Sequence, residues 1–323
     1  MRRTQSGATE PCGIPLRDLK GSLERLGYPG ELRDGDTLVL PSESHTTEIR
    51  VREPDPNHGS QDPIQARVTV TAMLVPSIAE ALDEPEKLMA FNGLATLGCL
   101  KAEGDAVAVE SALTVFEREG AWESLQRPLL GAAAMCSADG ILGAIWRSAS
   151  NQPKEQGESA WSEADLKAVE SALSGLCVCN ADTAGLTAEF GLSAGAVTTG
   201  YNGSQTALYQ QLANQPHPHL GGGLFCKLEM PYRYDDVTSL ARVCGRLNDL
   251  EMTTMDQPPH FGAWCEGHLG GNPAYVSFLP NVLHGVNRIA LNEAIWALNR
   301  AEWAHAQIRH IANEAGGAAP LGW

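Results

Sequence analysis

The sequence has no run of four or more lysine or arginine residues, and basic residues are in the minority overall. Its 23 Lys and Arg residues stand against 39 Asp and Glu residues, which gives a formal net charge of −16 over 323 residues. Nucleic acids and anionic membrane surfaces are both bound through basic protein faces. The charge balance therefore argues against a nucleic acid or a membrane surface as the partner.

Long apolar runs are absent as well. No stretch approaches the roughly 18 apolar residues that a membrane-spanning helix needs, and no apolar segment follows the basic start of the chain at residues 1–7. The eight cysteines are scattered along the chain, whereas disulfide frameworks are typical of small secreted domains. We therefore expect no membrane span, no secretory signal, reduced thiols and a cytoplasmic protein.

The sequence does contain the same order of predicted elements twice, on either side of a polar linker at residues 150–160. The first copy is predicted as a helix at 16–26, strands at 37–40, 47–52 and 64–75, a helix at 86–94, strands at 97–103 and 105–116, and a helix at 122–147. The second copy is predicted as a helix at 162–175, strands at 176–180, 186–192, 198–201, 206–212 and 224–230, a helix from 235 or 236 to 250, strands at 261–266 and 274–279, and a helix at 287–313.

The expected fold class is α+β. Two tandem α-β-β-β-α-β-β-α domains, at residues 14–150 and 160–315, would each form an antiparallel sheet flanked by helices. Short sequence echoes support this duplication, because Phe-Asn-Gly-Leu around Asn92 corresponds to Leu-Asn-Asp-Leu around Asn248, and Gly98 corresponds to Gly262.

The last predicted helix carries two stripes of large side chains. Leu291, Ile295 and Leu298 recur at helical spacing and are predicted to form its core seam. Trp296 and Trp303 lie two helical turns apart on one face, where they favour core packing over a helix-mediated interface.

The element order and the acidic balance together resemble the type III secretion chaperone-like fold, which includes effector chaperones and the YbjN-like proteins of bacteria. The resemblance spans residues 16–150 and again 161–313. Family members are mostly single domains of about half this length that pair through the sheet and the second helix. The resemblance therefore implies an intrachain pseudo-dimer, or a homo-oligomer, with no active-site residues and no cofactor. The chain departs from the family in its duplication and in long loops at residues 215–223 and 252–260.

From this resemblance we expect a non-catalytic protein-binding module, chaperone-like or an adaptor, whose partner is another protein or a peptide. The acidic surface would favour a basic partner electrostatically. Tyr232, Arg233 and Tyr234 are the candidate binding residues, because Tyr and Arg are favoured at interface hot spots. The plain alternative is that this segment ends a strand before a helix cap.

A metal- or thiol-dependent enzyme is the alternative function. Cys177 and Cys179 would lie on one strand face, where two thiolates can hold a soft metal or act as a dithiol. His217, His219, Cys265 and His268 would complete a ligand set if the loop and the hairpin met in space. The plain alternatives are two buried strand thiols and an ordinary proline-rich loop. Without a catalytic motif in its expected context, we favour a protein that is not an enzyme.

Overall fold

The structure is a computed structural model. It describes residues 16–41, 46–52, 64–73, 84–93, 97–103, 106–116, 120–137, 157–192, 205–217, 220–253, 259–268, 270–314 and 321–322. The predicted strand at 198–201, residues 150–156 of the predicted polar linker and His219 lie outside these residues.

In its described residues, the first half has three α-helices and one six-stranded antiparallel sheet. The helices are α1 (Leu16–Arg25), α2 (Pro85–Asn92) and α3 (Arg127–Met135), the last preceded by a π-helical turn at Trp122–Gln126. The strands are β1 (Glu31–Arg33), β2 (Thr37–Pro41), β3 (Thr46–Arg52), β4 (Ile64–Met73), β5 (Cys99–Glu103) and β6 (Ala106–Phe116).

The second half follows the same plan. Its helices are α4 (Glu163–Leu173), α5 (Val237–Thr253) and α6 (Ile289–Glu314). Its sheet strands are β7 (Val178–Ala181), β8 (Gly185–Gly191), β9 (Thr206–Leu212), β10 (Gly223–Glu229), β12 (Gly262–Glu266) and β13 (Pro273–Pro280). A separate two-stranded pairing joins β11 (Tyr232–Arg233) to β14 (Leu321–Gly322).

The two sheets share one topology. The spatial order is β1-β2-β3-β4-β6-β5 in the first sheet and β7-β8-β9-β10-β13-β12 in the second. Every pairing within them is antiparallel. The predicted α+β class, with antiparallel sheets flanked by helices, is confirmed. The first half has one strand more than predicted, namely β1. It was not predicted because it has only three residues, two of them charged, which is too short to show an alternating pattern.

Side-chain alternation explains which face of each sheet is covered. In β4, Ala66, Val68 and Val70 point to the helix side and are almost completely buried, as a strand's period of two requires. In the second half, α4 begins with a capping box, in which the Asp165 amide donates to Ser162 Oγ and the Ser162 amide donates to Asp165 Oδ2 at 2.8 Å. These local signals were readable from the sequence.

The halves pack against each other instead of hanging as separate units. Helices α2 and α5, the middle helices of the two halves, are in contact, and α2 also contacts β12 of the second half. One apolar cluster of buried residues runs through both halves. The backbone of His260 pairs with that of Ala112 through N–H···O bonds of 2.8 and 3.1 Å. The arrangement is therefore an intrachain pair, in which the two sheets remain separate.

Candidate functional site

A group of ionisable and aromatic side chains lies buried at this junction. Glu251 of α5 and Arg300 of α6 are both fully buried, with 2.6 Å between Arg300 Nε and Glu251 Oε1. Trp264 donates its indole N–H to Glu251 Oε2 at 2.9 Å. His260 Nδ1 lies 3.4 Å from the same oxygen, and the Arg300 guanidinium stacks 3.7 Å above the centre of the Tyr275 ring. We call these five side chains the junction cluster.

Charge pairing decides the protonation of the junction cluster. Burial acts to raise the pKa of Glu251, but the charges of Arg300 and His260 and the hydrogen bonds outweigh it and lower that pKa to about 2. Burial acts against the Arg300 charge too, yet the Glu251 carboxylate raises the pKa of Arg300 above its usual value. Nearby Glu293 differs, because burial raises its pKa; its Oε1 accepts a hydrogen bond from Ser277 at 2.8 Å.

The junction cluster also connects to the first half. Arg67 of β4 donates to the carbonyl oxygens of Glu251 and Met252, at 3.2 and 3.0 Å, and to Thr114 Oγ1 at 2.6 Å. Burial lowers the pKa of Arg67 to about 10, and the nearby Glu251 charge limits the shift. Because these groups are buried and engaged with one another, the cluster holds the halves together and offers no open surface to a substrate.

A groove of about 400 Å³ lies between α2, β5 and α5, with Trp264 among its lining residues. Its wall cations have carboxylates beside them: Lys101 Nζ is 3.0 Å from Glu110 Oε2. The pKa of Glu86 is lowered by a hydrogen bond from Thr238 and, to a smaller extent, by the Arg242 charge. The charged residues of the groove lining itself are Lys101, Arg242, Arg246 and Asp249.

A second cavity, of about 410 Å³, lies between α4 and the start of α6. His284 stands at its lining with its Nε2 atom 3.5 Å from Asp165 Oδ2, and its ring meets Trp161 edge-on at 5.4 Å between centroids. Asp165 already takes part in the α4 capping box. The Asp165–His284 contact therefore has a structural role at the start of that helix.

The three predicted binding residues do not form one exposed patch. Tyr232 is 3% exposed because β11 pairs with β14, and its hydroxyl is hydrogen-bonded to Nδ1 of His305. Burial raises the pKa of Tyr232 to about 12 and raises that of Tyr234 as well. Arg233 is exposed and Tyr234 is half-buried. Tyr232 is thus a packing residue, and a binding role for this segment stays a prediction.

Cys177 and Cys179 face α4, as the strand alternation predicts. Cys177 Sγ lies 3.8 Å from the Leu173 carbonyl oxygen, and Cys179 Sγ lies 3.4 Å from that of Glu170. Burial, with the neighbouring Cys179 thiol, raises the pKa of Cys177 to about 11. A thiol with a raised pKa is a poor nucleophile at neutral pH, which disfavours a reactive dithiol at this position.

The other proposed ligands are engaged elsewhere. His217 is buried against Phe278, with 5.2 Å between ring centroids, and its Nδ1 accepts a hydrogen bond from the Leu220 amide at 3.1 Å. Cys265 lies inside β12, where burial raises its pKa to about 12. His268 is exposed on a turn. Across the described part of the chain, no three His, Cys, Asp or Glu side chains come together as a metal site would require.

The sequence analysis missed an exposed apolar end of the second sheet. Leu176 and Val178 have 63% and 74% of their surfaces exposed, the two highest values among the large hydrophobic residues described. Val178 opens β7, the terminal strand of its sheet, which pairs only with β8 within the described residues. The available signal was the alternation Leu-Cys-Val-Cys beginning at Leu176, which puts the two larger side chains opposite the thiols.

Comparisons with known proteins assign neither a family nor a function to this chain. No protein-family model and no curated protein matches the chain. One solved structure, DynU16, a protein of the dynemicin biosynthetic locus, aligns over 91% of this chain and 94% of its own at 11% identity and a TM-score of 0.12. A TM-score that low supports no argument about fold or function. None of the helices described is long and apolar enough to cross a membrane.

Proposed function

We propose that the protein is a non-catalytic polypeptide-binding module, a chaperone-like protein or adaptor in a reducing, cytoplasmic setting. The observation that carries the proposal is the exposure of Leu176 and Val178 at the end of the second sheet. Exposed apolar side chains grouped at one place mark interaction sites more often than isolated ones do. Most of each side chain is exposed in the folded protein, and an external partner would account for their apolar character.

The environments of the ionisable residues support a role without catalysis. The junction cluster is buried and used in packing, and the thiols of Cys177 and Cys265 have raised pKa values. All seven cysteines in the described residues are free, which supports a reducing compartment. The close contact of α2 with α5 supports the idea of two family-like units joined as an intrachain pseudo-dimer.

A selection from a random peptide library displayed on phage, with the full-length protein immobilised, tests the function without assuming a partner. We expect a family of peptides that compete with one another and bind with micromolar Kd. The same selection on the double variant Leu176→Lys, Val178→Lys should not enrich this family, because the exposed apolar surface is removed while the core is untouched.

Val282→Lys is the matched control, since Val282 is also a surface valine, 54% exposed, on the short helix after β13. It should enrich the same peptides as the natural sequence. Failure to enrich any competing family, in repeated selections at low and moderate salt, would contradict the proposal. Stoichiometric zinc or iron in the purified protein would instead support the enzyme alternative.

A further inference from the structure

We infer that β7 is a docking strand that accepts an extended, basic segment of another polypeptide, which pairs with its free edge as a seventh strand of the second sheet. The inference rests on the proposed function and specifies how the partner binds and what its chemistry is. Three features of the chain carry it: the unprotected edge of β7, the charges around that edge, and the side chains along it.

The two halves treat their terminal strands differently. The equivalent edge of the first sheet is β1, which is three residues long and carries Glu31 and Arg33 with exposed side chains. Charges and short length are the devices that keep an edge strand from pairing with other chains. Strand β7, with the sequence Val-Cys-Asn-Ala, has no charged residue and no proline. One half therefore has a charged edge strand, whereas β7 is uncharged and, in the residues that the structure describes, is paired on one side only.

The charges around β7 are almost all negative. No lysine or arginine occurs between Lys167 and Lys227, a segment that holds α4's last turns and strands β7 to β9. Glu170, Asp182 and Glu189 lie in it, and Val178 is directly opposite Glu189 in the pairing with β8. Lys167 is already within 2.7 Å of Glu163. The charge at this edge is therefore complementary to a basic strand.

The same charges exclude a second copy of the chain as the natural occupant. Pairing β7 of one molecule with β7 of another would bring the carboxylates of both edges together, between molecules that each carry −16. Like charges set side by side oppose association. A partner segment with Lys or Arg residues would be attracted by the same carboxylates that repel a second copy.

The side chains at β7 also set a pattern for the partner. Val178 pairs opposite the exposed Glu189, Leu176 is exposed in the turn just before the strand, and the thiols of Cys177 and Cys179 project toward α4. In strand addition the main-chain hydrogen bonds give affinity, and alternate side chains give specificity. The open face therefore favours β-branched residues at every second position of the partner, with basic residues at the ends of the segment.

A synthetic nine-residue peptide, Lys-Val-Thr-Val-Lys-Val-Thr-Val-Lys with blocked ends and a fluorophore, is a suitable probe. We expect saturable binding by fluorescence anisotropy that weakens as salt rises, together with slower amide hydrogen exchange at residues 176–181. Replacing its three lysines with glutamates should raise the Kd at least about tenfold.

Backbone methylation separates strand pairing from simple charge attraction. Two versions of the peptide, N-methylated on alternate residues along one edge or the other, keep every side chain and charge. Only one edge can face β7, so one version should lose binding and the other should retain it. Equal binding of both versions, or slower exchange confined to residues other than 176–181, would overturn strand addition.

Substitutions at the edge complete the test. Val178→Lys places a repelling charge on the docking strand and should raise the Kd of the basic peptide at least about tenfold. Val282→Lys should leave the Kd of the peptide unchanged. If library-selected peptides bind but tolerate Val178→Lys and both methylated versions compete equally, the docking mode is wrong and the polypeptide-binding function stands. If no selected peptide binds at all, the function fails as well.

Discussion

Asn92 and Asn248 make the same pair of hydrogen bonds in the two halves. Asn92 accepts from the Leu100 amide at 2.6 Å and donates to the Leu100 carbonyl oxygen at 3.3 Å. Asn248 accepts from the Trp264 amide at 2.8 Å and donates to the Trp264 carbonyl oxygen at 3.2 Å. Each asparagine thus ties a middle helix to the strand that follows it, and it does so at the position where the two sequences echo each other.

Replacing either asparagine with alanine is expected to destabilise the protein. Asn248→Ala leaves a buried N–H and C=O of Trp264 without a partner, at a cost of roughly 1–3 kcal/mol, and Asn92→Ala should cost a similar amount at Leu100. Urea denaturation measures both. Asn180→Ala, on an exposed residue, is the control and should stay within about 0.5 kcal/mol of the natural protein. Midpoints equal to that of the Asn180→Ala control would contradict a stabilising role for the two asparagines.

The Glu251–Arg300 pair is expected to show strong coupling. Arg300→Met leaves the Glu251 carboxylate buried without its cation, and removing one member of a buried pair costs roughly 3–5 kcal/mol. Adding Glu251→Met to that variant should recover part of the loss, because the uncompensated charge is gone. A double-mutant cycle in urea measures the coupling, and strictly additive effects would show that the pair acts independently.

Stability should fall in acid through Glu251. Its pKa is lowered to about 2 in the folded protein from an ordinary 4.5, so the unfolded chain binds the extra proton and stability is lost as the pH falls from about 4.5 toward 2. Glu293 acts in the opposite direction, since its raised pKa favours folding below its ordinary value and that contribution is lost as the pH rises. Glu251→Gln should flatten the acid limb of a stability-against-pH curve; the exposed Glu189→Gln should not.

Gly262 is expected to tolerate no side chain. A Cβ there would lie 2.2 Å from the Val276 carbonyl oxygen and 2.8 Å from the Tyr275 ring, and overpacking of this kind costs roughly 1–3 kcal/mol or more. Gly191 is also a strand glycine, but no atom lies within 4 Å of a Cβ at that position. Thermal unfolding should therefore show a lower Tm for Gly262→Ala and little change for Gly191→Ala.

Local patterning made the element order readable from the sequence. Alternation in β4 and the cap at Ser162 are properties of adjacent residues, and they predicted the strand and the start of α4 correctly. The last helix was predicted less well. Ile295 is 36% exposed, and the buried stripe is made mainly of alanines such as Ala294, Ala297 and Ala301. Small residues let a helix approach its neighbours closely, and a search for large apolar side chains overlooks them.

The junction cluster could not be predicted at all. Arg67 donates to the carbonyl oxygen of Glu251, although 184 positions separate the two residues in the chain. Glu251 and Arg300 are separated by 49 positions. No periodicity links such residues, because their proximity arises only when the halves dock. The exposed β7 edge was hidden for a related reason: whether a strand is terminal depends on the sheet order.

The backbone bridge between Ala112 and His260 makes the two halves structurally interdependent. Each half supplies main-chain partners to the other, so removing either one would leave unpaired groups behind. The halves differ in their outer strands, as β1 and β7 show, but each relies on the other at this inner seam.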